Sequence, residues 1–268
     1  MKTNKFTLIE LLVVVAIIGI LASLLLPSLG KARKKGQVAV CTSNLRQINT
    51  AAFLYQDDSE GYYPAGSYAN GVSWDDMLSS YDGRNLTDAQ MKAGGIYGPS
   101  ASDLPGGEES SPLYRCPLDD RSAVQNRVLR TYSHTQAWYG QQWDNVYDKG
   151  AGIIGARWDI FLPFSRSITD ISNPSETIAF TELADEDQTA SNDNNHLRSS
   201  LGVSWTWTGI RADKQEIAVL SHHPNNKYNY AMTDGSVKSM TILQSLVKGD
   251  GSIATSSNVF GSKWDATK

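Results

Sequence analysis

The sequence predicts an α+β protein, with a long N-terminal helix packed on a head built around an antiparallel β-sheet. Three observations carry this. Residues 6–29 form one apolar run of helical length, residues 38–55 carry an apolar stripe at helical spacing, and the strand-like segments all gather after residue 130. A helix first and strands afterwards is the α+β pattern.

The apolar run comes first in the chain. From Leu11 to Leu26 there is no charge and one hydroxyl, Ser23. About 18 mostly apolar residues suffice to cross roughly 30 Å of hydrocarbon at about 1.5 Å per residue. Glu10 breaks the pattern. A carboxylate inside an apolar segment costs several kcal/mol unless it is paired, so it is a functional candidate. A secretory signal would have an apolar core of about 7–15 residues followed by a small-residue cleavage site. Lys2 and Lys5 supply a basic start, but the core is too long, and Pro27-Ser28-Leu29-Gly30-Lys31 follows it. A plain membrane anchor leaves Glu10 unexplained.

The helix continues past the run. Pro27 removes a backbone donor and predicts a kink. Beyond it, Val38, Cys41, Leu45, Ile48, Ala52 and Tyr55 share one helical face, with Lys34, Lys35, Gln37, Asn44, Arg46 and Gln47 off it. The division is therefore an apolar helical half at 6–29, an amphipathic half at 30–56 and a head at 57–268, with residues 1–5 preceding them. Asp57-Asp58-Ser59-Glu60-Gly61, with Pro64 beyond, marks the helix end.

The head begins loop-rich, with short capped helices expected at 73–78 and 87–93. Strands are expected at 131–139, 177–182, 203–207, 228–232 and 237–242. The last two flank Asp234-Gly235, a strong hairpin signal. The chain has two cysteines. In an exported protein an even count invites a disulfide, here Cys41–Cys116, worth about 4 kcal/mol in the chain-entropy treatment. Two buried thiols are the alternative, since Cys41 lies on the apolar stripe.

Charge is unevenly placed. Residues 1–50 hold seven basic side chains against Glu10, giving +6 and leaving −10 for the rest of a chain whose net charge is −4. An acidic head argues against nucleic-acid binding. The collar Lys31-Ala32-Arg33-Lys34-Lys35 suits anionic headgroups, at about 1 kcal/mol per basic residue. DNA contact by this collar is the alternative.

The run from Lys5-Phe6-Thr7-Leu8-Ile9-Glu10 through Ala16-Ile17-Ile18-Gly19-Ile20-Leu21-Ala22 resembles the N-terminus of type IV pilins and type II secretion pseudopilins. The resemblance implies a pilin-like fold, cleavage by a prepilin peptidase between Lys5 and Phe6, and methylation of the new amino terminus. It also implies that Glu10 pairs with the amino terminus of a neighbouring subunit in a filament. The partners it implies are that peptidase, other pilin or pseudopilin subunits, an inner-membrane assembly platform and the bilayer. One position departs: the family usually has Gly, sometimes Ala or Ser, where this chain has Lys5. A subset of pilin-like proteins ends its head with a His, about nine residues, then Asp-Gly. His223, Asp234 and Gly235 resemble that motif with one extra residue. Cys41-Thr42-Ser43-Asn44-Leu45-Arg46-Gln47 and Cys116-Pro117 resemble two further features of the subset.

Other chemistry is thinly represented. No Gly-x-Ser-x-Gly, His-Glu-x-x-His or phosphate loop occurs, so no enzyme is expected. The four histidines are His134, His196, His222 and His223. His222 and His223 with Asp234 form a conceivable zinc set, although a hydrogen bond from His223 to Asp234 that fixes the hairpin is the simpler reading. Asp185, Asp187 and Asp193 lie in an oxygen-rich run that suits calcium but lacks the EF-hand spacing. The expectation is thus no cofactor, with calcium the one alternative. Seven tryptophans, Trp74, Trp138, Trp143, Trp158, Trp205, Trp207 and Trp264, suit either a core or stacking on sugars. The expected function is a structural subunit, single-pass in the cytoplasmic membrane with its head outside, that assembles into a pseudopilus or pilus. The alternative is an anchored module that recognises a ligand such as a polysaccharide and never polymerises.

Overall fold

A computed structural model of the chain describes residues 7–64, 72–92, 104, 112–119, 130–135, 152–157, 162–182, 203–204, 223–254 and 260–267. The described helices are α1 (Leu8–Asp58), α2 (Asp88–Lys92) and α3 (Ile242–Ser245). The strands are β1 (Tyr132–Thr135), β2 (Ile154–Arg157), β3 (Leu162–Ser165), β4 (Ile178–Glu182), β5 (Val203–Ser204), β6 (Tyr228–Met232) and β7 (Val237–Met240). This is a pilin-like α+β layout.

Helix α1 runs unbroken through Pro27 for 51 residues, about 75 Å at 1.5 Å per residue. Its large apolar side chains from Leu8 to Leu29 are 46–78% exposed. The second half lies on the head and buries Cys41, Asn44, Leu45, Ile48, Asn49, Ala51, Ala52 and Gln56. That face is wider than the apolar stripe, because polar side chains join it by binding loop and sheet carbonyls. Asn44 Nδ2 donates to Arg115 O at 3.2 Å, and Asn49 Nδ2 donates to Met232 O at 2.7 Å. The helix ends at Asp58 and the chain turns away through Gly61, whose N–H donates to Gln56 O at 2.9 Å. With φ at +82° and Ser167 Oγ only 2.9 Å from where a Cβ would stand, this position needs glycine.

The main sheet has the order β5-β1-β4-β6-β7. Strands β1, β4, β6 and β7 pair antiparallel, while β5 joins the β1 edge in parallel. Strands β2 and β3 form a separate antiparallel pair. The β6–β7 hairpin turns through Thr233-Asp234-Gly235. Gly235 N donates to Met232 O at 3.0 Å, and Met232 N donates to Ser236 O at 2.8 Å. Only Gly235 among the turn residues has positive φ, so the connection is the three-residue, glycine-bulge type rather than the two-residue mirror turn.

The sheet packs apolar side chains on both faces. On one, α1 meets Trp74, Tyr114, Tyr132 and Phe180, with Trp74 stacked on Phe180 at 5.1 Å. On the other, Ile178, Tyr228, Tyr230 and Met232 meet Ile242, Leu246 and Trp264. Trp264 Nε1 donates to Ser245 Oγ at 2.9 Å, which satisfies the polar end of a buried indole. Trp74 and Trp264 are therefore core residues, unavailable for stacking on sugars. Trp138, Trp143, Trp158, Trp205 and Trp207 lie outside the described residues.

Candidate functional site

The exposed half of α1 is the first candidate. Thr7 caps it. Thr7 N and Thr7 Oγ1 both donate to Glu10 Oε2 at 2.8 Å, and Glu10 N donates to Thr7 Oγ1 at 3.3 Å. This reciprocal capping box satisfies two orphan donors of the first turn and places a carboxylate at the positive end of the helix dipole. Lys5 and Phe6 lie outside the described residues. The basic collar Lys31, Arg33, Lys34 and Lys35 is exposed. It stands between the apolar half and Gln37, whose Nε2 donates to Pro117 O on the head at 3.1 Å. Among the described residues α1 is the one helix long and apolar enough to cross a membrane.

The second candidate is a buried centre where helix and head join. The structure carries a Cys41–Cys116 disulfide, with the two Cα atoms 5.2 Å apart. His223 Nε2 lies 3.3 Å from Cys116 Sγ and 3.2 Å from Glu182 Oε1. Pairing of β4 with β6 sets Thr181 opposite Tyr230, which brings Glu182 at the end of β4 to Asn229. Asn229 N donates to Glu182 Oε2 at 2.9 Å and Asn229 Nδ2 to Oε1 at 3.1 Å. Burial pushes the Glu182 carboxyl up to about 8, against the lowering effect of the Asn229 donors. Behind Cys116, its N–H donates to Thr131 Oγ1 at 2.9 Å, and Thr131 Oγ1 donates to Asp119 Oδ2 at 2.6 Å. The ligand atoms of Cys41, Cys116, Glu182 and His223 all lie within 4.8 Å of one another, and all four residues are buried.

The two ends of the His…Asp-Gly segment sit in different places. His223 is in the buried centre. Asp234 is exposed in the hairpin turn, where its Oδ1 accepts from Ser236 N at 2.9 Å and Ser236 Oγ at 2.6 Å. Gly235 faces α1, with Phe53 Cε2 3.0 Å from where a Cβ would stand. His222 and His196 lie outside the described residues, as do Asp185, Asp187 and Asp193. His134 is buried beside Trp74, and burial pushes its imidazole down to about 4, which leaves it neutral.

Two features escape sequence reasoning. Glu182 reads only as the end of a strand, and a carboxylate closing an otherwise uncharged strand is the one available signal. The other is a buried charge cluster. Arg84 Nη1 lies 3.1 Å from Asp75 Oδ2, Arg84 Nη2 2.7 Å from Asp82 Oδ2, and Arg130 Nη2 2.8 Å from Asp75 Oδ2. Tyr114 OH donates to Asp82 Oδ2 at 2.8 Å, and the Arg84 guanidinium lies 4.5 Å from the centre of the Tyr114 ring. Nothing in the spacing of Asp75, Asp82, Arg84 and Arg130 announces this meeting.

Comparison with known proteins gives one informative match. Over 61 residues, 23% of this chain, the sequence is 47% identical to the type IV wide pilus major component PilA4 of Thermus thermophilus. The matched region spans 47% of that protein, so the chain covers about half the length of this curated relative. No family model matches the chain, and no solved structure matches it.

Proposed function

We propose that the chain is a structural, non-enzymatic subunit of a type IV pilus-like filament. One observation carries the reading. A continuous helix leaves an apolar half wholly outside the head, with a carboxylate, Glu10, at its start. Such a half needs lipid before assembly and other helices after it. The match to a type IV pilus component supports a pilin-like structural subunit. On this reading a prepilin peptidase cuts between Lys5 and Phe6, the subunit waits in the cytoplasmic membrane with its head outside, and an assembly platform delivers it to the filament.

Glu10 then has two successive partners. Before assembly, Thr7 satisfies it locally. In the filament, the α-amino group of a neighbour's Phe6 replaces that cap with a charge pair in low dielectric. Removing one member of a buried ion pair costs about 3–5 kcal/mol, far more than the 1.4 kcal/mol of a tenfold change.

The test compares wild type with Glu10→Val in the native host. Wild type should yield filaments containing this chain in sheared surface material. Glu10→Val should stay in the membrane fraction with filament yield reduced more than about tenfold. Normal filaments from Glu10→Val would refute the pairing role. Wild-type cells with no filament, and a head that binds glycans, would support the anchored polysaccharide-recognising module instead.

A further inference from the structure

The geometry points to a second state of the buried centre: with the Cys41–Cys116 bond reduced, Cys41, Cys116, Glu182 and His223 bind one Zn²⁺ ion. The inference is independent of the filament reading. It rests on the residues packed against the disulfide. A disulfide needs only apolar neighbours, and burying a glutamate and a histidine beside it carries a desolvation cost that covalent cross-linking does not explain. Two thiolates, an imidazole and a carboxylate are instead a zinc donor set.

The distances suit it. A tetrahedral ion with the usual zinc bond lengths holds its ligand atoms roughly 3.3–3.8 Å apart. His223 Nε2 already lies 3.2 Å from Glu182 Oε1 and 3.3 Å from Cys116 Sγ. The two sulfurs must separate, which breaking their bond allows, and all four ligand atoms already lie within 4.8 Å of one another. The ligands come from four separate parts of the fold: α1, the segment after Tyr114, the end of β4 and the approach to β6. A supporting shell is in place as well. Asn229 holds both oxygens of Glu182, and Thr131 holds the backbone of Cys116. Outer partners of this kind orient metal ligands.

The chemistry balances. A phosphine reductant takes up oxygen from water and converts the disulfide to two thiols. Zn²⁺ then displaces the two thiol protons and the proton of the buried Glu182 carboxyl, releasing them to solvent, and is held by two thiolates, the Glu182 carboxylate and neutral His223. The disulfide and the ion exclude one another, and each ties α1 to the head. The centre therefore keeps the helix docked in reducing and oxidising surroundings alike.

The experiment uses the full chain in detergent, reduced with a phosphine, with Co²⁺ as the spectroscopic probe and Zn²⁺ as competitor. One Co²⁺ per chain should bind with a thiolate-to-cobalt charge-transfer band, and Zn²⁺ should abolish it. The disulfide form should show no band. His223→Ala and Glu182→Gln should each weaken binding by more than the roughly 10–100-fold that loss of an outer partner costs. Asp234→Asn, in the exposed turn, should leave binding unchanged. Zn²⁺ should also protect both cysteines of the reduced chain from alkylation. The proposal is overturned by a reduced chain with no charge-transfer band, by a band indifferent to both His223 and Glu182, or by cysteines that Zn²⁺ does not protect. A reduced chain that loses its tertiary circular dichroism and fails to regain it with Zn²⁺ overturns it equally.

Discussion

At Asp76, burial and charge oppose each other. Its carboxylate accepts from Ser73 N at 3.0 Å and Ser73 Oγ at 2.5 Å, with Arg130 and Arg84 at 3.6 and 3.8 Å. Burial first, and the neighbouring Asp75 second, push it up to about 6, and the two guanidiniums only partly offset this. The folded chain therefore holds this proton at pH values where the unfolded chain, near 3.8, has lost it. The stability it contributes is complete below about pH 4 and is lost as pH rises to about 6. Asp76→Asn should remove that dependence. Urea unfolding of both proteins across pH 4–6 should show wild type losing about 1–3 kcal/mol relative to the variant over this window. A difference that stays constant with pH would contradict the assignment. The sequence hides this cluster because Arg130 reaches Asp75 and Asp76 only once the chain has folded, and nothing in the spacing of the others marks them as buried. Glu10 is different. A lone carboxylate in an apolar run stands out with no structure at all.

At the scale of elements, the helix and sheet are joined through polar as well as apolar contacts. The Cys41–Cys116 link closes a separation of 75 residues between α1 and the head. Chain entropy assigns such a loop about 4 kcal/mol. With a chelator present, reduction or Cys41→Ser should lower unfolding stability by about that amount. An unchanged denaturant midpoint would show that the link adds nothing. Gly235→Ala tests a second contact, since the turn needs positive φ and presses on Phe53. The loss should be about 1–3 kcal/mol by urea unfolding, and a neutral result would count against close docking of the hairpin on α1. Strands β1, β4, β6 and β7 are legible because β-prone runs are bounded by turn residues. The β2–β3 pair is not, because Gly155 and Pro163 interrupt any alternation. The parallel edge at β5 depends on a long-range pairing that periodicity cannot report. The polar residues of α1 mislead in one respect. Asn44 lies off the apolar stripe, yet it is buried because a loop carbonyl waits for it.

For the whole molecule, the division of labour is plain. One half of α1 is exposed and apolar, the other is built into an acidic α+β head, and a basic collar separates them. The long helix is legible because lipid and core both impose simple rules on it. The buried centre is only half legible: two cysteines can be paired from their number, but Glu182 and His223 meet through strand register. A processed filament subunit is marked by its new amino terminus, and the mass of the N-terminal peptide from sheared surface material reads that terminus. A peptide beginning at methylated Phe6 is the predicted result. A peptide that still carries Met1 to Lys5 would contradict processing, and with it the pairing of Glu10 with a neighbour's amino terminus.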